Sequence, residues 1–255
     1  MQETAVARGP LDWILDLVAK SFYVFKKEMK TYFVSPIAYI IAFCYLFISG
    51  YMFTAHLMQT KHATLAGFLQ NNGVVLLLLV PILTMRLLAE ERRQKTIELL
   101  LTSPLTPTQI VLGKYFACLG LLTAMMGMTL LYPYVLVQLG GNPDWGPVKT
   151  GYLGLWLLSA CFVAIGLFTS SLTDNQLVAA VVSFVILLIL WIASWSSAYL
   201  EAGTMTTVVE ALSILMPFAD FVRGLVESRY YIYYVSIVVV FLFASVRMLE
   251  ASRWR

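Results

Sequence analysis

Charged residues are scarce in this 255-residue chain and are almost missing from its long apolar stretches. Asp, Glu, Lys and Arg together make up 12% of the residues, whereas soluble globular proteins contain about 25%. Hydrophobic residues make up 60% of the chain, which is far too apolar for a disordered protein. This composition excludes an ordinary soluble domain and predicts a protein that spans a membrane.

Cysteine and histidine are also rare. Cys44, Cys118 and Cys161 fall in apolar stretches without a CxxC pair, and we interpret them as small buried hydrophobic residues. His56 and His62 are predicted to lie in the first outer loop. Their spacing does not match the three or four residues that a helical metal pair needs. No metal site is expected.

Motifs that bind nucleotides or cut bonds are missing from the sequence. A phosphate-binding loop needs GxxxxGK[ST], because its backbone N–H groups and its Lys surround the phosphates. The single Gly-Lys pair, Gly113-Lys114, is followed by Tyr115. The HExxH and GxSxG motifs are missing too, and no Asp or Glu lies inside a predicted span. We expect a chain that catalyses no reaction and binds no cofactor itself.

Six apolar stretches are each long enough to cross a bilayer, which takes about 20 residues of helix. They are residues 36–57, 66–88, 112–139, 151–170, 176–200 and 230–249. No short h-region with a cleavage site precedes the first stretch, so we expect it to be retained. The predicted fold is an all-α polytopic membrane protein with a single transmembrane domain, residues 1–255.

Residues 11–30 predict a helix of another kind. One face is apolar and the opposite face carries Asp and Lys, which is typical of a helix that lies in the membrane interface. Its lysines, including Lys26 and Lys27, would lie near anionic lipid headgroups. The alternative is a helix that packs on a soluble partner.

Lys and Arg are distributed unevenly between the two sides of the predicted membrane. With the N-terminus inside, thirteen of the 17 Lys and Arg residues lie on the inner side. The positive-inside rule therefore places both termini in the cytoplasm. Nucleic-acid binding is not expected, because the basic residues flank membrane helices and do not form a basic face.

Residues 201–229 are too polar to span the membrane and too apolar for an ordinary loop. Pro217 is predicted to divide them into two short helices on the outer side, lying on or dipping into the bilayer. The inner turn between the fourth and fifth spans, residues 171–176, contains Asp174 and Asn175, which we expect to supply a helix cap.

The densest charge in the chain follows the second span, in residues 90–106. A helix is predicted to continue from Arg86 to Leu101 and to break at residues 103–107, with Thr106 as the N-cap of the next helix. Such a block offers a docking surface for a soluble partner. The alternative is a solvated helix face with pairs such as Glu91–Lys95.

Small residues follow one face of the third span at steps of three and four. They are Gly113, Ala117, Gly120, Ala124 and Gly127. Stripes of this kind allow membrane helices to approach closely, and we predict a helix-packing role.

Two segments carry a resemblance to a known family. Residues 90–106 read EERRQKTIELLLTSPLT and are followed by Ile110-Val111-Leu112-Gly113-Lys114, while residues 166–176 read GLFTSSLTDNQ. They resemble ABC exporter permeases of the type 2 class (ABC-2). Residues 216–224 and 246–250 resemble the bacterial gliding-motility permease group more narrowly.

The resemblance implies a membrane subunit of an ATP-driven exporter in the bacterial inner membrane. Two copies of a separate cytoplasmic ABC ATPase would hold ATP and Mg²⁺, and a second copy of this chain or a related permease would complete the pathway. The residues implied to couple the ATPase are Glu90, Glu91, Arg92, Arg93, Lys95, Thr96, Glu98 and Pro104.

The family's first and fifth spans face the dimer axis, so the resemblance places an aromatic set near the pathway. The set comprises Tyr39, Phe43, Phe47, Trp191 and Trp195, and an aromatic lining suits an amphipathic or lipid-linked cargo. Interface anchoring or simple packing is the alternative for each. Two other functions remain open: a complex that acts mechanically on an outer partner, and a secondary transporter, which needs polar groups near the midplane.

Overall fold

The described part of the chain is a bundle of α-helices. The computed structural model describes residues 10–60, 64–97, 102–196 and 213–252, and all regular structure in these ranges is helical. The helices are α1 (Pro10–Val34), α2 (Pro36–Thr60), α3 (Ala66–Thr84), α4 (Ala89–Arg93), α5 (Pro107–Thr129), α6 (Leu131–Gln138), α7 (Trp145–Leu172), α8 (Gln176–Ser196), α9 (Leu215–Val222) and α10 (Ser228–Ser252).

Six helical stretches in the described residues are long and apolar enough to cross a membrane. They are Pro36–Thr60, Ala66–Arg93, Pro107–Gln138, Trp145–Leu172, Gln176–Ala193 and Ser228–Ser252. The predicted all-α polytopic fold with six spans is confirmed. His56, predicted in the first outer loop, lies in α2 instead, with its ring against Gly67.

The fourth span, α7, is the centre of the bundle. It contacts α3, α5, α8, α9 and α10, and most of its residues are buried. Two glycines permit this contact: a Cβ at Gly154 would clash with Phe221, and one at Gly166 would clash with Thr84. Small residues therefore set the distance between α7 and its neighbours, as is common where membrane helices pack.

The third span is broken at its outer end, where α5 ends at Thr129 and α6 begins at Leu131. Pro133 lacks the N–H that would bind the carbonyl of Thr129 in a continuous helix. The hydroxyl of Tyr152 donates to that carbonyl at 2.9 Å. The kink predicted from Pro133 is thus a break between two helices, and α7 satisfies the freed carbonyl group.

The outer segment before the last span contains α9. Pro217 was predicted to lie between two short helices. It lies instead within the first turn of α9. The first N–H groups of a helix have no partner within it, so proline is tolerated there. Residues 201–212, which would form the first helix of the predicted pair, lie outside the described residues.

Candidate docking surface

The charged helix α4 is separated by a turn from α3, the helix that begins the second span. The prediction of one helix from Arg86 to Leu101 is wrong, because α3 ends at Thr84 and α4 ends at Arg93. Residues 98–101, including Glu98, lie outside the described part of the chain. At the break, Ser170 on α7 binds the freed backbone groups: its hydroxyl accepts from the backbone N–H groups of Leu88 and Ala89, both at 3.0 Å.

The same hydroxyl donates to the carbonyl of Met85 at 3.1 Å. Ser170 thus supplies three hydrogen bonds that a continuous helix would have made within itself. Its side chain is completely buried, so the start of α4 is fixed to the inner end of α7.

The other end of α4 is closed by Lys95, which has the left-handed φ of 56°. The backbone N–H of Thr96 donates to the carbonyl of Glu91 at 3.0 Å, and that of Lys95 donates to Arg92 at 3.1 Å. This is the pattern in which glycine normally ends a helix. A lysine in this conformation costs about 1 kcal/mol, so the surroundings impose the turn.

Glu91 points into the protein and binds a buried lysine. Its carboxylate lies 2.8 Å from the Nζ of Lys114 on α5, and that Nζ also lies 3.0 Å from the carboxylate of Glu28 on α1. The side chain of Lys114 is 3% exposed, and those of Glu28 and Glu91 are 15% and 19% exposed. This triad joins three helices at one point. The alternative pair Glu91–Lys95 does not form, because Lys95 has left the helix.

Glu90 is also engaged within the chain. Arg86 donates to its two carboxylate oxygens from Nε and Nη2, at 2.8 and 3.1 Å. Such bidentate pairs between an arginine and a carboxylate have a defined geometry. Both acids that begin α4 are therefore neutralised by cations of this chain.

The basic residues of the block face a cleft instead. Arg92, Arg93 and Lys95 line one side of it, and residues 174–177 of the turn between α7 and α8 line the other. Asn175 caps α8 as predicted, because its side chain accepts from the N–H of Leu177 at 3.0 Å. The structure thus brings the predicted charged block against the predicted inner turn.

The remaining described residues of the block lie between the end of α4 and the start of α5. The hydroxyl of Thr96 donates to the carbonyl of Glu91 at 3.3 Å, and Pro104 is exposed. Thr106 is the N-cap of α5, as predicted. It forms a capping box with Gln109, in which each side chain binds the other residue's backbone N–H.

The stripe of small residues on α5 is divided between two surroundings. A Cβ at Gly113 would lie 2.5 Å from the Cβ of Val24 on α1, and one at Gly120 would touch Phe25. Ala117 is buried. At the outer half of the stripe, Ala124 is exposed and a Cβ at Gly127 would meet nothing within 4 Å. The inner half therefore packs against α1.

Helix α1 keeps much of its apolar face exposed although it packs on α5. Leu15, Val18 and Phe22 are about 60% exposed, while Ser21 and Val24 are buried. An exposed apolar face is what a helix in the membrane interface needs.

The predicted pathway residues do not form one set. Tyr39, Phe43 and Phe47 are 58%, 66% and 66% exposed along one face of α2. Trp191 is only 9% exposed and lies against Gly73 in the core. Trp195 belongs to α8, but its side chain is outside the described part of the structure.

Three residues that attach α4 to other helices, here called the junction around α4, were not among the predicted site residues. They are Lys114, Glu28 and Ser170. Lys114 and Glu28 gave a weak signal, as charges in or beside apolar stretches, where an ionised group needs a partner. Ser170 gave none, because serine is common near helix ends. Each acts through a contact between residues that lie far apart in the sequence.

The chain was compared with known proteins. The family model described as ABC-2 family transporter protein matches residues 52–230 of the sequence. That range contains α4, the turn between α7 and α8, and most of the spans. No curated protein matches the chain. ABC-2 permeases are the membrane subunits of ABC transporters and work with a cytoplasmic ABC ATPase. The match covers well over half of the sequence, and with six membrane-spanning helices this multi-pass chain belongs to the ABC-2 family of transporter proteins.

Proposed function

We propose that this chain receives the movement of a separate cytoplasmic ABC ATPase at α4 and passes it to the membrane spans. The observation that carries the proposal is the attachment of α4 to three other helices. Ser170 fixes its start to α7, and Lys114 links Glu91 to α5 and, through Glu28, to α1. A displacement of α4 is therefore transmitted to the packed spans as a rigid-body movement.

ATP and Mg²⁺ would be held by the ATPase. This proposal is supported by the sequence, which lacks a phosphate-binding loop. The role of this chain is to bind the ATPase, transmit its closure and move the spans.

The test uses the purified chain in lipid nanodiscs. Alone, it should bind no ATP at stoichiometric levels. Each soluble ABC ATPase subunit encoded by the source genome is then added singly, and one of them should bind the discs and change its ATPase rate. Stoichiometric ATP binding by the isolated chain, or the failure of every ATPase subunit to bind, would contradict the proposal.

A second permease subunit completes the proposed transporter, either a second copy of this chain or a related one. The support is the aromatic face of α2, where Phe43 and Phe47 stack with their ring centres 5.9 Å apart and remain two-thirds exposed. Two such faces opposite each other would suit export of an amphipathic or lipid-linked cargo across the inner membrane. The buried Trp191 is left out of this lining.

A mechanical role is the second candidate. In it, the same complex would use ATP to act on an outer partner through the segment that contains α9, without moving cargo. The narrower resemblance to gliding-motility permeases suggests relatives for either role and names no cargo. Transport of labelled lipid-linked substrates in reconstituted vesicles separates the two roles, because only an exporter moves them.

A further inference from the structure

We infer that the cleft lined by Arg92, Arg93 and Lys95 takes a carboxylate-bearing segment of the cytoplasmic ATPase, so that the partner's contact surface is acidic. This inference rests on the proposed function, because it requires that an ATPase docks at α4. It goes further by stating the chemistry of the partner and by dividing the charged block into an internal part and a docking part.

This division follows from the ion-pair partner of each charged side chain. The sequence of the block, residues 90–106, contains three acids and three bases and so has no bias toward either. In the structure, Glu90 binds Arg86 and Glu91 binds Lys114. Both carboxylates are paired with cations of this chain, and the charges of α4 and Lys95 that remain unpaired in the described residues are basic.

The cations of the cleft are not neutralised by the described part of the chain. Within residues 10–60, 64–97, 102–196 and 213–252, no carboxylate lies within ion-pair distance of Arg92, Arg93 or Lys95. The cleft is lined by these three cations and by one acid, Asp174. Its charge favours an anionic partner.

Arg92 gives an independent indication of what that anion is. Its Nε and Nη2 are buried and have no hydrogen-bond partner among the residues that the structure describes. These two N–H groups form the parallel edge of the guanidinium group that binds a carboxylate at two points. A rotation of the side chain toward the cleft would offer that edge to an entering Asp or Glu, and would satisfy donors that are costly to leave unpaired.

The walls of the cleft are held in place before a partner arrives. Lys95 is fixed in its left-handed turn by the hydrogen bonds of Thr96. The opposite wall is fixed by Thr173 and Asn175, whose side chains accept from backbone N–H groups two residues further on, at 3.1 and 3.0 Å. Prearranged charges of this kind increase the association rate and select the partner.

The experiment measures binding of the cognate ATPase to the chain in phosphatidylcholine nanodiscs, which carry no net lipid charge. The ATPase is the subunit identified by singly testing those of the source genome. The variant Arg92→Gln/Arg93→Gln/Lys95→Gln should bind roughly tenfold or more weakly than the parent, mainly through a slower association rate. The double variant Arg93→Glu/Lys95→Glu changes only exposed side chains and should lose binding without loss of fold.

The matched control removes the same charge elsewhere. The variant Lys149→Gln/Arg223→Gln/Arg229→Gln alters three exposed cations outside the cleft and should bind like the parent. A zero-length carbodiimide reagent provides the direct chemical readout, since it joins an amine to a carboxylate in contact. It should link Lys95 to an Asp or Glu of the ATPase, and Lys95→Arg should bind normally but lose the link.

The outcomes are distinguishable. If no ATPase binds the parent, the proposed function fails. If an ATPase binds but the cleft variants bind equally well and no link to Lys95 forms, the docking inference alone is overturned. If the variants lose binding only in discs containing anionic phosphatidylglycerol, the cleft contacts lipid headgroups and the inference is also overturned.

Discussion

Lys114 is a single residue that holds two carboxylates from two other helices, and its side chain is almost completely buried. Taking an ion pair out of water is costly, and removing one member leaves the others without compensation. We expect Lys114→Met to destabilise the chain by about 3–5 kcal/mol, because Glu28 and Glu91 would then face each other as buried acids.

Two variants make this measurement decisive. The exposed Lys149 is the matched control, and Lys149→Met should change stability by less than about 0.5 kcal/mol. The triple variant Lys114→Met/Glu28→Gln/Glu91→Gln should recover part of the loss, since neutral groups replace the whole cluster. Unfolding is followed with a thiol-reactive dye in a Cys44→Ser background, because Cys44 is partly exposed whereas Cys118 and Cys161 are fully buried. Equal unfolding midpoints for the Lys114→Met and Lys149→Met variants would show that the triad contributes nothing.

The contact between α1 and α5 depends on the lack of a side chain at Gly113. A Cβ there would lie 2.5 Å from the Cβ of Val24 and 2.9 Å from the carbonyl oxygen of Ser21. The backbone of α1 or α5 would therefore have to move. We expect Gly113→Ala to lower the unfolding midpoint and to weaken the link between Glu28 and Lys114. In Gly127→Ala the new methyl group meets nothing within 4 Å, and helix propensity favours alanine. An effect of equal size in both variants would contradict the close packing of α1.

The start of α4 depends on a hydroxyl from another helix. In Ser170→Ala, the N–H groups of Leu88 and Ala89 lose their acceptor inside the protein, at a cost of about 1–3 kcal/mol. We expect faster hydrogen exchange at these two amides and a weaker response of a bound ATPase to the permease. Ser171→Ala is the control, since within the described residues the hydroxyl of Ser171 binds the carbonyl of Phe168 on its own helix. Unchanged exchange at Leu88 and Ala89 in Ser170→Ala would show that the turn forms without Ser170.

The elements that the sequence predicted well are those whose signal is local. Long apolar runs predict the six spans, and the Thr106-Pro107 pair predicts the N-cap and the first residue of α5. Pro133 predicts a disturbance in the third span because a missing N–H acts on its own helix. The inner turn is predicted for the same reason, since Asn175 binds the backbone of the next helix start.

The junction around α4 could not be predicted in the same way. The hydrogen bond between Lys114 and Glu28 joins residues 86 positions apart, and that between Ser170 and Leu88 joins residues 82 positions apart. Such contacts depend on the rotation and height of helices relative to one another, which local periodicity does not determine. The sorting of the described charges, with Glu90 and Glu91 paired to Arg86 and Lys114 and with Arg92, Arg93 and Lys95 facing the cleft, follows from those positions.

For the whole molecule, the orientation in the membrane decides which surface meets a cytoplasmic partner. The Lys and Arg bias predicts that both termini, α4 and the turn between α7 and α8 lie inside, and that the segment containing α9 lies outside. Asp174 in the inner turn and Glu227 after α9 are both exposed, so a cysteine at either position is accessible from its own side.

We expect a membrane-impermeant maleimide to label Glu227→Cys in intact spheroplasts and Asp174→Cys only after the membrane is permeabilised. Both variants are made in a background without Cys44, Cys118 and Cys161, because Cys44 is partly exposed and would add its own signal. The cysteine-free parent is the control for labelling of other groups. Labelling of Asp174→Cys before permeabilisation, with Glu227→Cys protected, would invert the topology. It would also remove the cleft of Arg92, Arg93 and Lys95 from the side on which the ATPase works.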